Sequence, residues 1–251
     1  MQRYFIQLSF KGTPFNGWQK QQNAPSVQES IEECLGKLLR HPVEIIGAGR
    51  TDTGVHARYY IAHFDTDKAI KHIPDFIYHV NQIIPYEIAI QNIIPVIPEA
   101  HARFDAISRT YQYVISTVKN PYEKDLSYYY NVHLDIDKMN HACETLKRYT
   151  DFTSFCKLHS DNKTNICHIY GAVWTKEDQK LTFTINADRF LRNMVRAIVG
   201  TLIDVGRGKI SIDQFVKIIE SKNRSAASTS APSHGLYLTD VHYDKKLYQM
   251  I

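Results

Sequence analysis

Residues 3–10 read RYFIQLSF, an alternation that puts Tyr4, Ile6, Leu8 and Phe10 on one side of an extended chain. A period of two, rich in aromatic and branched residues, marks a strand with a buried face. A loop with Gly12, Pro14 and Gly17 follows, and then Ser26 with Glu29 three residues on, the capping box that opens a helix. Along this helix Val27, Ile31, Cys34, Leu35, Leu38 and Leu39 recur at helical spacing, and Pro42 ends it. RYYIAHF (58–64) alternates again, Pro74 suits the first turn of a helix carrying Phe76, Ile77, Val80 and Ile84, and EIAIQNI (87–93) reads as a further strand.

The second half rhymes loosely with the first. TYQYVIS (110–116) is a predicted strand, and DKMNHACETLKRY (137–149) a helix with Met139, Cys143 and Leu146 inward. IYGAVW and LTFTINA are two strands joined as a hairpin across TKEDQK (175–180). A long helix is expected over 189–205 and a shorter one from Ser211, with Gln214 completing its capping box. The Ser/Ala-rich stretch SAASTSAPS then leads to a last strand, GLYLTDVHY (235–243). Interleaved strands and helices with hairpin-length links indicate an α+β fold, a largely antiparallel sheet with helices packed on one face. The halves share a pattern but no readable repeat. They divide near residue 105, giving expected domains 1–105 and 106–251, the second carrying the helix 189–205.

A chain of 251 residues, 43% of them hydrophobic, can bury a substantial core. It opens on a strand pattern, so no signal peptide is expected, and no apolar run approaches the roughly 20 residues that span a membrane. Cys34, Cys143, Cys156 and Cys167 show no paired framework and read as reduced thiols of a cytoplasmic protein. The net charge of +4 is too mild to imply nucleic acid by itself. Its distribution says more: residues 189–209 hold five basic residues against one acid, Asp204, as much excess as the whole chain. Clustered positive charge is the footprint of a phosphate-bearing partner, or otherwise a solvated helix face. On a helix, Arg189, Arg192 and Arg196 fall on one face and Leu191, Met194, Ile198 and Leu202 on the other.

Chemistry concentrates in GAGRTDTGVHA (47–57). Asp52-Thr53-Gly54 is the tripeptide of an aspartic protease, but that mechanism needs two carboxylates sharing a proton, and an apolar strand should precede the turn. Here Ala-Gly-Arg-Thr precedes it, and a guanidinium two positions away favours the ionised carboxylate. A plain turn is the other reading, since Asp and Gly are ordinary turn formers. Yet Gly47, Gly49 and Gly54 bracket the acid and allow close backbone approach, and Arg50 adds a charge that no turn requires. An ionised aspartate so placed suits a nucleophile better than a general acid. Tyr111 is by itself an ordinary strand residue, although an aromatic near such an acid can stack on a planar base. Cys156, His159, Cys167 and His168 approach zinc spacing without a C-x-x-C pair, so no metal is expected, and the third glycine of a dinucleotide loop is missing.

With these residues together, the chain resembles the tRNA pseudouridine synthase A family over nearly its whole length. FKGTPFNGWQKQ (10–21), GAGRTDTGVHA, RTYQYVI (109–115), DFTSF (151–155), FLRNMVRAIVG (190–200) and GLYL (235–238) look like the family's blocks in the family's order. Lys11 stands where an acid is common and Thr53 where alanine is common. The resemblance implies two ferredoxin-like, RNA-recognition-like halves sharing the sheet, with the active-site cleft between them. It also implies a homodimeric enzyme without metal or other cofactor that converts uridine to pseudouridine at positions 38 to 40, in the anticodon arm of tRNA. By the same carry-over Asp52 is the nucleophile, at the base or at the sugar's anomeric carbon. Tyr111 stacks on the target uracil, Arg196 pairs with the aspartate, and Arg50 helps hold the RNA, with Arg189, Arg192 and Leu236 as further binding residues. Two rival classes stay open on the residues alone, a non-catalytic RNA-binding module and an aspartic hydrolase.

Overall fold

The structure, a computed structural model, describes residues 1–158, 160 and 163–249. Nine strands and five helices run through the described residues, and the sheet is largely antiparallel, with one short parallel pair. The α+β class read from the periodicity is the class observed. Two compact units divide the chain: residues 1–107 with the segment from Leu238 onward, and residues 108–237.

In the first unit, β1 (Gln2–Phe10) lies between β3 (His56–Thr66) and β4 (Ile88–Val96), antiparallel to both. The short β2 (Ile45–Gly47) pairs with β3 on one side of it, and β9 (Leu236–Tyr243) adds to β3 as well. Tyr4, Ile6, Leu8 and Phe10 are all buried, as the alternation requires, and so is Phe5 on the opposite side, where it meets the ring of Tyr243 at 5.0 Å. Helix α1 (Val27–Leu39) begins where Ser26 accepts a hydrogen bond from the Glu29 amide at 3.2 Å, and it ends with Arg40 in the left-handed region at φ 59°. Helix α2 (Ile73–Ile83) has its proline in the first turn. Its Asn81 side chain donates to the Ile90 carbonyl and accepts from the Ile90 amide, both at 2.8 Å. A helix side-chain amide thereby satisfies both backbone groups of one residue of the outermost strand, groups of the kind that would otherwise recruit another chain.

The second unit repeats that device. β5 (Ala106–Ser116) pairs antiparallel with β8 (Lys180–Ala187), and β8 with β7 (Ile169–Glu177). The two-residue β6 (Tyr128–Tyr129) runs parallel to β5. The hairpin link is tighter than the six residues TKEDQK, because both strands continue into it and leave only Asp178, at φ 50°, and Gln179 as the turn. Helix α3 (Ile136–Leu146) packs on β7, where Asn140 holds both backbone groups of Trp174 at 3.0 and 2.7 Å. Helix α4 (Met194–Gly206) is buried nearly all round, and α5 (Ile212–Glu220) carries the complete capping box between Ser211 and Gln214.

One expected helix is shorter than its periodicity suggests. The helix expected over 189–205 starts only at Met194, so Arg189 and Arg192 do not share a helix face with Arg196. Asn193 takes φ 66°, a left-handed conformation that breaks the helix and that asparagine tolerates better than most residues. Before it, the Asp188 carboxylate accepts from the Arg189 amide at 2.7 Å, and the Arg192 carbonyl accepts from Lys157 at 3.0 Å. These bonds hold residues 188–193 as a connected turn. Among the described residues no helix is long and apolar enough to cross a membrane.

Candidate active site

Asp52 sits half-buried in a loop between β2 and β3 whose backbone is held on every side. Its own carbonyl accepts from Val55 at 3.1 Å, closing a four-residue turn that needs Gly54 at φ 76°. The loop of residues 11–25 is pressed against the same backbone. The Trp18 amide donates to the Thr51 carbonyl at 3.3 Å, and the Gly12 amide donates to Nδ1 of buried His56 at 3.0 Å. Gly17, at φ 90°, lies so close that a Cβ there would overlap the Thr51 carbonyl oxygen and stand 3.3 Å from the Asp52 carbonyl carbon. A Cβ on Gly12 would overlap the Val55 carbonyl oxygen.

A second clamp acts from beneath. Trp18 and Tyr60 stack at 4.1 Å, both buried, and the Tyr60 hydroxyl donates to the Gly49 carbonyl. Gly47 is required by this stack, because a Cβ there would come within 2.6 Å of the Trp18 ring. Gly49 is different: a Cβ there would meet nothing within 4 Å. So two of the three bracketing glycines serve the internal fit of the loop, and the third leaves open space. Thr53, Arg50 and Arg58 are exposed around the half-buried acid. Arg50 also lines a cavity of about 140 Å³ with Trp18, Gln28, Ile45, Gly47 and Arg103 among others. The partners Gly12, Gly17 and His56 went unassigned in the sequence, although the two glycines and the tryptophan of GTPFNGW are the visible signal that something packs closely there.

In the other unit, Tyr111 stands half-buried in the middle of β5, opposite Ile185 of β8, with its ring edge-on to Phe190 at 5.1 Å. Two residues on, Tyr113 is fully buried. Its hydroxyl donates to the Pro232 carbonyl at 2.8 Å, and burial raises its pKa far above the ordinary phenol value. Gly235 is needed beside it, since a Cβ there would come within 2.7 Å of the Tyr113 ring, and Leu236 next to it is buried.

Arg196 lies in the first turn of α4. Its Nε donates to the Ala231 carbonyl at 2.7 Å, while the Ala231 amide donates back to the Arg196 carbonyl at 2.9 Å. The segment 227–231 is tied down further by Arg224, which donates to the carbonyls of Ala227 and Ser228 and to the Ser230 hydroxyl. Arg196 and Arg224 line an open cavity with Ser225, Ser228, Thr229 and Ser230. Of the other basic candidates, Arg192 is exposed and Arg189 half-buried, reaching the Thr164 carbonyl at 3.4 Å.

The three described members of the zinc-like set, Cys156, Cys167 and His168, do not group as a metal site. His168 turns its amide and Nδ1 to the Asp188 carboxylate at 2.8 and 3.0 Å, Cys167 is fully buried with its thiol pushed up to about 12 by burial, and Cys156 donates to the Lys157 carbonyl. His159 lies outside the described residues. Among the described residues no three His, Cys, Asp or Glu side chains group as a metal site.

Comparison with known proteins reaches both halves of this description. The family described as tRNA pseudouridine synthase matches residues 142–244. A tRNA pseudouridine synthase A of Parabacteroides distasonis is 54% identical over 248 residues, covering 99% of this chain and 98% of the relative. That of Bacteroides fragilis is 51% identical over 250 residues, covering 99% of each, and that of Bacillus subtilis 37% identical over 241 residues, covering 94% of this chain and 97% of the relative. Similarity of this extent, including the clamped aspartate loop as well as the α4 region, leaves one assignment: the chain belongs to the tRNA pseudouridine synthase A family, isomerases that convert uridine to pseudouridine in tRNA.

Proposed function

We propose that Asp52 is the nucleophile of this isomerase and that its target uridines are those at positions 38 to 40 in the anticodon arm of tRNA. The observation that carries the proposal is the aspartate loop itself: a half-buried carboxylate whose backbone is fixed by Gly12, Gly17, Gly54 and the Trp18–Tyr60 stack. A nucleophile held on a rigid frame loses little freedom on reaching the transition state.

The reaction breaks the bond between N1 and the sugar's C1′, turns the base, and joins C1′ to C5. The C5 proton is lost and N1 gains one, so the product is an isomer and nothing else is consumed. Attack by the carboxylate, at the anomeric carbon or at the base, keeps the detached fragment in place while it turns. The reading assigns Tyr111 to stack on the uracil, with its hydroxyl within reach of proton removal at C5. It assigns Arg196 to pair with the Asp52 carboxylate. Arg50, Arg189, Arg192 and Leu236 are assigned to the RNA and the flipped nucleotide. Extruding the base costs a few kcal/mol, which phosphate contacts from these arginines offset. The same reading makes the enzyme a cytoplasmic homodimer that uses neither metal nor other cofactor.

Asp52→Asn tests it. Asparagine is nearly isosteric, so the loop keeps its frame, but an amide is a poor nucleophile. Release of tritium from C5-labelled uridine in tRNA should be abolished while tRNA binding changes little. Turnover within tenfold of wild type overturns the assignment.

A further inference from the structure

The loop from Asn223 to Ala231 is fastened to α4 at more points than a surface connection requires. In the middle of the helix, Gly200 lets the Thr229 carbonyl approach so closely that a Cβ there would overlap its oxygen. The Ser228 amide donates to the Thr201 hydroxyl at 3.2 Å, and that hydroxyl donates in turn to the Ala197 carbonyl at 2.9 Å. At the head of the helix, Asn193 donates through Nδ2 to the Ser230 hydroxyl at 2.6 Å. At the start of the loop, the Asn223 amide donates to the Ser154 hydroxyl at 3.0 Å, and the Asn223 side chain accepts from the Ser225 amide at 2.9 Å.

Arg224 closes the loop from within. One guanidinium donates through Nη1 to the Ala227 and Ser228 carbonyls, at 3.3 and 3.1 Å, and through Nη2 to the Ser230 hydroxyl at 2.9 Å. The Ser230 oxygen therefore accepts from Arg224 and from Asn193 together, and Asn193 is the residue whose left-handed turn starts α4. A planar fork holds these acceptors at fixed angles, which an ammonium on a flexible stem does not reproduce. What the frame delivers is the next residue, Ala231, which is buried. Its carbonyl receives Nε of Arg196 at 2.7 Å, and its amide returns to the Arg196 carbonyl at 2.9 Å. Because a guanidinium is planar, a bond at Nε sets the direction of the whole group.

We propose that Arg224, through Ser230 and Asn193, is the positioning residue that aims Arg196 for the reaction. It acts by fixing the Ala231 carbonyl against which Arg196 lies, and it makes no contact with the reacting atoms. This rests on the role given to Arg196 above and names the frame that holds it.

The test uses the full-length protein, with tritium release from tRNA read for kcat and KM, tRNA affinity measured over a range of salt, and solvent exchange of the Arg196 Nε–H followed by NMR. Arg224→Met and Arg224→Lys should each speed that exchange about tenfold, the equivalent of one lost hydrogen bond. Both should lower kcat about tenfold or more with KM within about twofold, since a displacement of about 1 Å at a reacting group can cost about a hundredfold. In an Arg196→Met background, Arg224→Met should change kcat by less than about twofold, because residues that act through one group are not additive. An unchanged exchange rate in a folded Arg224→Met overturns the proposal, as does full additivity with Arg196→Met. A salt slope reduced by about 0.7 to 0.9 in Arg224→Met and restored in Arg224→Lys, with kcat kept in both, makes the residue a phosphate contact and overturns it too. Wild-type turnover by Arg196→Met alone would instead count against the role of Arg196 in the reaction, and the exchange rates would still decide the frame.

Discussion

Gly17→Ala is the perturbation that most directly asks whether the first loop positions Asp52. Gly17 lies in one connecting loop and Asp52 in another, and a Cβ at 17 would overlap the Thr51 carbonyl oxygen and crowd the Asp52 carbonyl carbon at 3.3 Å. Two costs combine. An L-residue at φ 90° pays about 1–2 kcal/mol for the left-handed conformation, and forcing a group into packed backbone adds about 1–3 kcal/mol. A combined loss near 3 kcal/mol lowers Tm by about 6–12 °C in a chain of this length. The overlap is relieved by moving the Thr51–Asp52 backbone, and a displacement of about 1 Å at a reacting group can cost about a hundredfold in rate. The assay pairs thermal melting with single-turnover pseudouridine formation well below both melting temperatures. Gly49→Ala is the control, made on the same loop where a Cβ meets nothing within 4 Å, and it should melt within about 2 °C of wild type. If Gly17→Ala stays folded, melts lower and still reacts at the wild-type rate, the clamp stabilises the fold without placing the aspartate. If it also melts like wild type, the steric argument itself fails.

Tyr111 and His63 give two further tests. Tyr111→Phe keeps the ring that meets Phe190 and should retain tRNA affinity; if the hydroxyl takes part in proton removal, its rate falls about 10²-fold or more, whereas a rate equal to wild type alongside a dead Tyr111→Ala makes the residue a stacking surface only. His63 is buried, accepts from the Ala102 amide through Nδ1 at 3.1 Å, and has its pKa lowered from 6.5 to about 4, first by burial and then by Arg3. Because the unfolded chain takes up this proton more readily, the stability it reflects is present above pH 6.5 and is lost as pH falls from 6.5 to about 4, amounting to about 3 kcal/mol at 1.36 kcal/mol per tenfold. Urea midpoints measured between pH 7 and 4.5 should fall accordingly. His63→Asn, whose amide oxygen can replace Nδ1 as acceptor, should flatten that slope, and an unchanged slope would show that other groups carry the acid sensitivity.

Much of this architecture is legible along the chain because it rests on short-range rules. The alternation of residues 3–10, the capping residues Ser26 and Ser211, and the inward row Met139, Cys143 and Leu146 each depend on neighbours within about a turn or a strand, so periodicity and capping chemistry identify them. Residues 189–205 mark the boundary of that logic. Their spacing is helical throughout, yet Asp188 and Lys157 bind the backbone of residues 189 and 192, Asn193 turns left-handed, and the helix begins at Met194. One long-range hydrogen bond, from Lys157, together with the local bond of Asp188, outweighed helical propensity there. The aspartate loop shows the same division. Its composition alone marks Asp52 as unusual, with glycines and an arginine around it. Only the tertiary structure decided that Gly12 and Gly17, some forty residues earlier, press on its backbone, that His56 holds Gly12, and that Arg103 shares a cavity with Arg50. Such contacts join residues distant in sequence through close packing, and close packing is a property of the folded volume that no local period encodes.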